Sequence, residues 1–346
     1  MRRFLIFITI FIAFAVPVQA SEYTAPEVSD QAQEFMPEDT QSFSEGLWYV
    51  FKQALARLQP SMAEAASICL SLFAVVILVS ILDTFSESAS PITRLVGTLV
   101  IALLLIKPSN AMISLATKTV ASISDYGKLL LPVMTATLAS QGGTSTSATL
   151  YTATAMMDSV LSSAITKIMI PMVYIYLCLC VINALCDVEH VKNLKHFMKW
   201  SMTWFLKIVL YIFTGYLAIT RVVSGTVDAS AMKAAKLTIS GAVPVVGGIL
   251  SDASEAILVS AGLVKSAVGV YGLLAVIAIL IGPFIRIGCQ YLLLKATAGI
   301  CGAIGSKKVS SLIADFSGAM GMLMAMSCSA GALFFISTVC FMKGVS

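Results

Sequence analysis

The sequence predicts an all-α polytopic membrane protein with about six transmembrane helices, and up to eight. Three observations carry that prediction. The chain is 58% hydrophobic and 12% charged, with a mean hydropathy of +0.92, whereas soluble domains average about 45–50% apolar and about 25% charged residues. So few charges cannot cover so much apolar surface in water. Apolar stretches approaching the roughly 20 residues that a helix needs to cross hydrocarbon recur along the chain. Two of the segments between them are interrupted by Pro and Gly in a pattern that occurs twice.

The N-terminus reads as a signal peptide over residues 1–20. Arg2 and Arg3 form a positive n-region, Phe4–Val16 an apolar h-region, and Val18-Gln19-Ala20 a small-residue cleavage site before Ser21. Cleavage there places the mature N-terminus outside the cytoplasm. Residues 21–45 then hold seven of the eighteen acids and no Lys or Arg. Such a stretch buries too little apolar surface to fold, so a disordered acidic leader is expected. Over 46–60, Leu47, Phe51, Leu55 and Leu58 fall at spacings of four, four and three, with Trp48 and Tyr49 alongside. That spacing predicts an amphipathic helix on the membrane surface, stopped by Pro60.

Residues 61–346 form the transmembrane domain. Met62–Leu82, Leu95–Ile106, Ile165–Leu185, Met202–Thr220, Val264–Ile287 and Phe316–Phe341 are the expected spans. Between them, Met112–Ala139 and Leu237–Ala261 are less apolar, rich in small residues and broken by Pro and Gly. Pro132 precedes Gly142-Gly143 and then Pro171; Pro244 precedes Gly247-Gly248 and then Pro283, and both proline pairs are 39 residues apart. The two copies lie 112 residues apart and suggest repeat units of about 92–203 and 204–315. The alternative is chance alignment among ten prolines in an apolar chain. Irregular backbone at membrane depth must be buried in protein or face water. The two broken segments are therefore either re-entrant hairpins lining a path or ordinary outer loops. On the first reading Pro132, Gly142, Gly143, Pro244, Gly247 and Gly248 line the path; on the second the small residues serve close helix packing.

Basic residues orient the spans. With the mature N-terminus outside, Asp83–Arg94, the Lys192/Lys195/Lys199 loop, Arg286, Lys295, Lys307 and Lys308 fall on the cytoplasmic side. Six spans then leave the C-terminus outside. Among charges near the spans, Lys107 and Lys167 can snorkel, while Asp158 and Asp315 read as first-turn acids favoured by the helix dipole. Lys207 sits a few residues inside its span and is the candidate intramembrane charge.

Catalytic motifs are missing from the sequence: His190 and His196 are six apart, and there is no metalloprotease helix, phosphate-binding loop or nucleophile elbow. None of the eight cysteines forms a Cys-x-x-Cys pair. No enzyme activity, cofactor or metal is expected. The lysines are scattered rather than blocked with aromatics, which argues against nucleic acid as a partner.

The stretch Lys233–Lys265, KAAKLTISGAVPVVGGILSDASEAILVSAGLVK, closely resembles the stage III sporulation protein AE family, as does Leu130–Gly143, LLPVMTATLASQGG. The resemblance extends from about Met62 to Phe341. It implies an integral subunit of a secretion-like channel complex that joins mother cell and forespore during endospore formation. Its place would be the mother-cell membrane around the forespore, with other membrane proteins of that complex and the lipid bilayer as partners. It supplies no catalytic or transport residues. The alternative is a permease or pore in its own right for a small solute.

Overall fold

The computed structural model describes residues 30–36, 43–85, 90–140, 144–186, 188–242, 247–304 and 307–343, with the side chains of 30, 31, 43, 83–85, 90, 91, 94, 217–267 and 343 excluded. The predicted signal peptide, most of the acidic leader, Gly142, Gly143 and Pro244 lie outside the described residues. After a short α1 (Asp30–Gln33), the helices are α2 (Phe43–Phe85), α3 (Ser90–Ser140), α4 (Thr144–Ala164), α5 (Ile170–Cys186), α6 (Glu189–Ala242), α7 (Gly247–Ile304) and α8 (Lys307–Lys343). A π-turn, Ile165–Met169, welds α4 to α5: the Ile170 N–H donates to the Ile165 carbonyl, five residues back. Pro171 follows at once, and a wider turn here relieves the clash that its ring would make with the preceding turn.

Contacts between helices give the direction of each pass. Gly97 meets Val79, so α2 and α3 run antiparallel. Ser124 of α3 meets Asp158 of α4, the descending arm of the next hairpin. Gly302, Gly321, Gly331 and Gly269 meet Ser310, Tyr291, Leu280 and Met342, which fixes α7 and α8 as an antiparallel pair along their length. Gly46, Glu64 and Ser80 of α2 meet Leu274, Arg286 and Ile304 of α7, so those two are parallel. The result is an up-and-down bundle of six passes among the described residues, counting α4 with α5 as one.

Five of these passes contain stretches long and apolar enough to cross a membrane: Ser44–Leu82, Leu95–Ser140, Thr144–Cys186, Val268–Ile304 and Lys307–Met342. The chain is a multi-pass membrane protein. The sixth expected span, Met202–Thr220, belongs to α6, whose side chains are described only to Tyr216.

Each pass is far longer than hydrocarbon requires. The 51 residues of α3 extend about 76 Å, against a core of about 30 Å. The outer surface explains the surplus. Ala65–Leu82 of α2 and Ile168–Leu185 carry no charge, and Leu70, Ile77, Leu78, Leu99, Leu103, Ile175 and Ile182 point outward. At the upper edge of this zone the exposed charges Glu64, Lys118, Lys167, Lys207 and Arg286 stand at nearly one level. At its lower edge lie the ends that carry Lys192, Lys307 and Lys308, while exposed Lys107 and Lys295 stand between the two edges, Lys295 nine residues from both Arg286 and Ile304. Arg286, grouped by the sequence reading with the lower cluster, is about 27 Å from Ile304 along α7. Above the ring the exterior mixes charges, such as Lys52 and Arg57 on α2 and Asp125 and Lys128 on α3, with exposed apolar side chains such as Trp48, Phe51, Met156 and Tyr211.

Several local expectations change in consequence. Met112–Ala139 is the upper half of one continuous helix, with Pro108 and Pro132 inside it. Its lower apolarity reflects its place above the apolar zone. Pro60 does not stop the amphipathic segment either, because α2 continues through it. Residues 46–60 run along α7, burying Val50 and Ala54. The leader is partly folded: Ala32 and Phe35 are buried, Phe35 against Gly282. The connections at 141–143 and 243–246 are out of step with the proline register, since a shift of 112 residues carries the first into the interior of α7.

The core is filled through the bundle axis. Val276, Phe316, Met320, Leu323, Met326 and Phe334 are buried at its centre, chiefly on α7 and α8. Within lipid such packing is driven by close contact more than by water exclusion. The glycines along the α7–α8 seam supply the close approach.

Candidate functional site

Only part of the predicted site can be located. Pro132 is exposed on α3, and Gly247 and Gly248 are the first two residues of α7. Lys207 is exposed at the charge ring, at the edge of an apolar cavity of about 180 Å³ between Met202, Leu206 and Leu210 of α6 and Met322 and Met326 of α8. The α7–α8 contacts put Met326 level with Arg286, and Lys207 lines the cavity beside Met326.

Two acids that the sequence reading placed in first helical turns lie deep within their helices. The first is Asp158. Because α4 begins at Thr144, Asp158 is four turns in and buried, with only 7% of its surface exposed. Ser124 of α3 donates a hydrogen bond of 2.7 Å to its Oδ2. The pair lies beside a cavity of about 280 Å³, whose other walls include Lys128, Tyr151, Ser159, Ser162 and Ser163. One turn away, Thr154 and Ser337 share a buried hydroxyl hydrogen bond that ties α4 to α8. The i,i+4 pairs Ser124/Lys128 and Asp158/Ser162 each align on one helix face, a signal the sequence holds but that needs the α3–α4 pairing to be read.

The second is Asp315. It is two turns into α8, and Lys195 of α6 donates to its Oδ2 at 2.6 Å, with side-chain exposures of 7% and 18%. The buried Tyr176 hydroxyl of α5 donates to the Asp315 carbonyl at 3.5 Å. This ion pair pins α5, α6 and α8 together in the lower half of the bundle. A buried pair of this kind fixes geometry more than it adds stability.

A third polar cluster reaches from the charge ring to the turns above it. Arg57 pairs with Glu34, and Arg286 with Glu64 at 2.9 Å. With Phe35, Pro60, Gly282 and Pro283 they line a cleft of about 360 Å³ between the leader segment, α2 and α7. Among the described residues no group of three His, Cys, Asp or Glu side chains is placed to hold a metal ion.

The profile of the family described as stage III sporulation protein AE matches residues 29–344 of the chain. The chain belongs to the stage III sporulation protein AE family. A family relative, the stage III sporulation protein AE of Bacillus subtilis (strain 168), is 23% identical over 303 residues, covering 86% of this chain and 75% of the relative. No solved structure matches. The match begins one residue before α1 and ends one residue after α8, so the family extends over the whole described bundle, including the docked leader segment. Membership assigns the chain to sporulation. Each feature described above lies within the matched span, so none is an appendage to the family fold.

Proposed function

We propose that this chain is an integral membrane subunit of the channel complex between mother cell and forespore. It would sit in the mother-cell membrane, with the basic end of the bundle cytoplasmic and the opposite half projecting into the space between the two membranes. The basic lower edge supports that orientation through the positive-inside bias.

The observation that carries the assembly reading is a seam on the projecting half of α2. Trp48, Phe51, Leu55, Leu58 and Met62 follow a three-four spacing and are all exposed, at 67%, 50%, 52%, 36% and 45%. That is the spacing by which one helix packs against another, and it lies above the charge ring, where lipid does not cover it. A helix of another membrane protein of the complex fits it. Burying large apolar side chains of this kind is worth about 1.5–3 kcal/mol each, enough for a few of them to hold a partner. The filled axis of the bundle supports a subunit over a self-contained pore.

The test is a Trp48→Ala/Leu55→Asp double variant in sporulating cells. The expected result is normal protein in the membrane, loss of co-purification with complex partners, and arrested forespore development. Normal co-purification and normal spores would overturn the assembly reading. A second reading, a permease or pore for a small solute, is favoured by the polar cleft at Asp158. It requires that partners stay bound while solute passage fails, which the same pull-down distinguishes.

A further inference from the structure

We propose that the cleft between α3 and α4 is a binding site for a monovalent cation, held by the Asp158 carboxylate and the surrounding hydroxyl oxygens. The inference is independent of the assembly reading. It rests on charge, geometry and access.

The charge inventory leaves Asp158 without a cationic partner of its own. Lys128, the nearest basic group, donates to Asp125 at 2.7 Å, and both of those side chains are exposed, at 69% and 71%. The three ionisable groups together carry one net negative charge. Asp158 is buried, and its described hydrogen bond comes from the neutral Ser124. A carboxylate offers about four lone-pair positions, of which the hydrogen bond from Ser124 takes one, and Asp158 lines the cleft. Burying an uncompensated carboxylate is costly, and a bound cation removes that cost.

The walls supply the remaining ligands. Ser124, which contacts the carboxylate, and Tyr151, Ser159, Ser162 and Ser163 are hydroxyl-bearing residues of the cleft wall. Oxygen donors with a single formal charge suit a singly charged ion. Divalent ions of the calcium or magnesium type are hard cations that usually draw on several carboxylates, carbonyls and waters, and the other nearby carboxylate is already held by Lys128. The volume of about 280 Å³ accommodates an alkali-metal ion with its waters, or a primary ammonium group on a small solute. Both present the same chemistry to Asp158.

Access is open. Asp158 lies nine residues above Lys167 on one continuous run of helix, about 13 Å beyond the charge ring. Exposed Ser159, Ser163 and Lys128 line the cleft. The cleft therefore opens to water on the projecting side of the bundle, and an ion reaches it without crossing hydrocarbon.

The experiment uses the full chain in lipid nanodiscs, in choline chloride at constant ionic strength. Sodium, potassium, ammonium or ethanolammonium chloride replaces choline in steps, and the unfolding temperature is followed by tryptophan emission. A saturable rise with at least one of these ions is expected, and the ion that gives it separates the alkali-metal source from the ammonium source. In Asp158→Asn the midpoint concentration should rise at least tenfold. Ser162→Lys guards against a variant that merely misfolds, because Ser162 is one turn from Asp158 and a lysine there carries its own ammonium into the site. That variant should be more stable in choline alone and indifferent to added cations. A flat response to every ion in the wild-type chain overturns the proposal, as does an undiminished rise in Ser162→Lys. A response to pH with none to the ions would also overturn it, by making Asp158 a proton site.

Discussion

Removing either half of the Lys195–Asp315 pair should destabilise the bundle unequally, and the inequality tests the geometry. Lys195 keeps 7% of its side chain exposed and Asp315 18%. Asp315→Leu strands a buried ammonium whose hydrogen-bond partner was that carboxylate. Breaking a buried pair from one side costs about 3–5 kcal/mol, and the full range is expected here. Lys195→Met strands a carboxylate instead, but a more exposed one with a second lysine at hand. The Lys199 Nζ comes within 3.5 Å of where a Cβ on Gly318 would stand, less than one turn from Asp315. The cost should therefore be nearer about 1–3 kcal/mol, the range for a polar group left poorly satisfied. The double variant Lys195→Met/Asp315→Leu removes both charges and should recover to within about 1 kcal/mol of wild type, as replaced buried pairs commonly do. Reversible unfolding in mixed micelles, followed by circular dichroism, gives all four corners of the cycle. Strictly additive single costs, or an Asp315→Leu cost below about 1 kcal/mol, would refute a buried and coupled pair.

Two further substitutions probe packing elsewhere. Gly127 of α3 faces the ring of Phe334, where an added Cβ would overlap the ring. Gly127→Ala should therefore cost about 1–3 kcal/mol in the same unfolding assay, whereas Gly215→Ala, with nothing within 4 Å, should be neutral or slightly stabilising through helix propensity. Phe35→Ala should release the leader segment from Gly282 and raise protease cleavage near residues 30–36 severalfold without altering the digestion of α7. Unchanged cleavage would mean that the Glu34–Arg57 pair alone retains the segment.

Much of the fold was legible in the sequence because composition and run length dominate in membranes. All six expected spans fall inside helical runs; Met62–Leu82 presents an outward apolar face, whereas Phe316–Phe341 is mostly buried in the bundle. What the sequence hid was length. A window tuned to about 20 residues reads Met112–Ala139 as a weak span or broken loop, since Lys118, Asp125 and Lys128 interrupt it. Those charges instead fall within one continuous helix. Pro60 and Pro132 misled for a related reason. A proline removes one donor and bends a helix locally, but flanking turns on both sides packed against neighbours keep the helix intact. The buried acids were hidden by the same error in helix starts. With α4 and α8 begun at Thr144 and Lys307, Asp158 and Asp315 move from solvated caps to the interior, and their partners Ser124 and Lys195 are 34 and 120 residues away.

The repeat and the cleft bear on each other. Recurrence of helical hairpins is what any antiparallel bundle gives, so the pairing of α3 with α4–α5 and of α6 with α7 says little by itself about duplication. Residue-level correspondence is the stricter criterion, and the two available registers disagree. Matching the prolines sets Asp158 opposite Val270; matching the connections at 141–143 and 243–246 sets it opposite residues near Ser260. Neither register supplies a second carboxylate. A symmetric transporter built from two equivalent halves would be expected to place its binding groups at the interface of the repeats, yet Asp158, Ser124 and the hydroxyls around them all belong to the first unit. The cleft is thus a feature of one hairpin, on the half of the bundle that projects beyond the charge ring. A cation held there would stiffen the α3–α4 hairpin on the same face of the membrane as the seam of α2. Its occupancy would then bear on how the projecting half meets its partners, rather than on passage through a central path that Phe316, Met320 and Phe334 already fill.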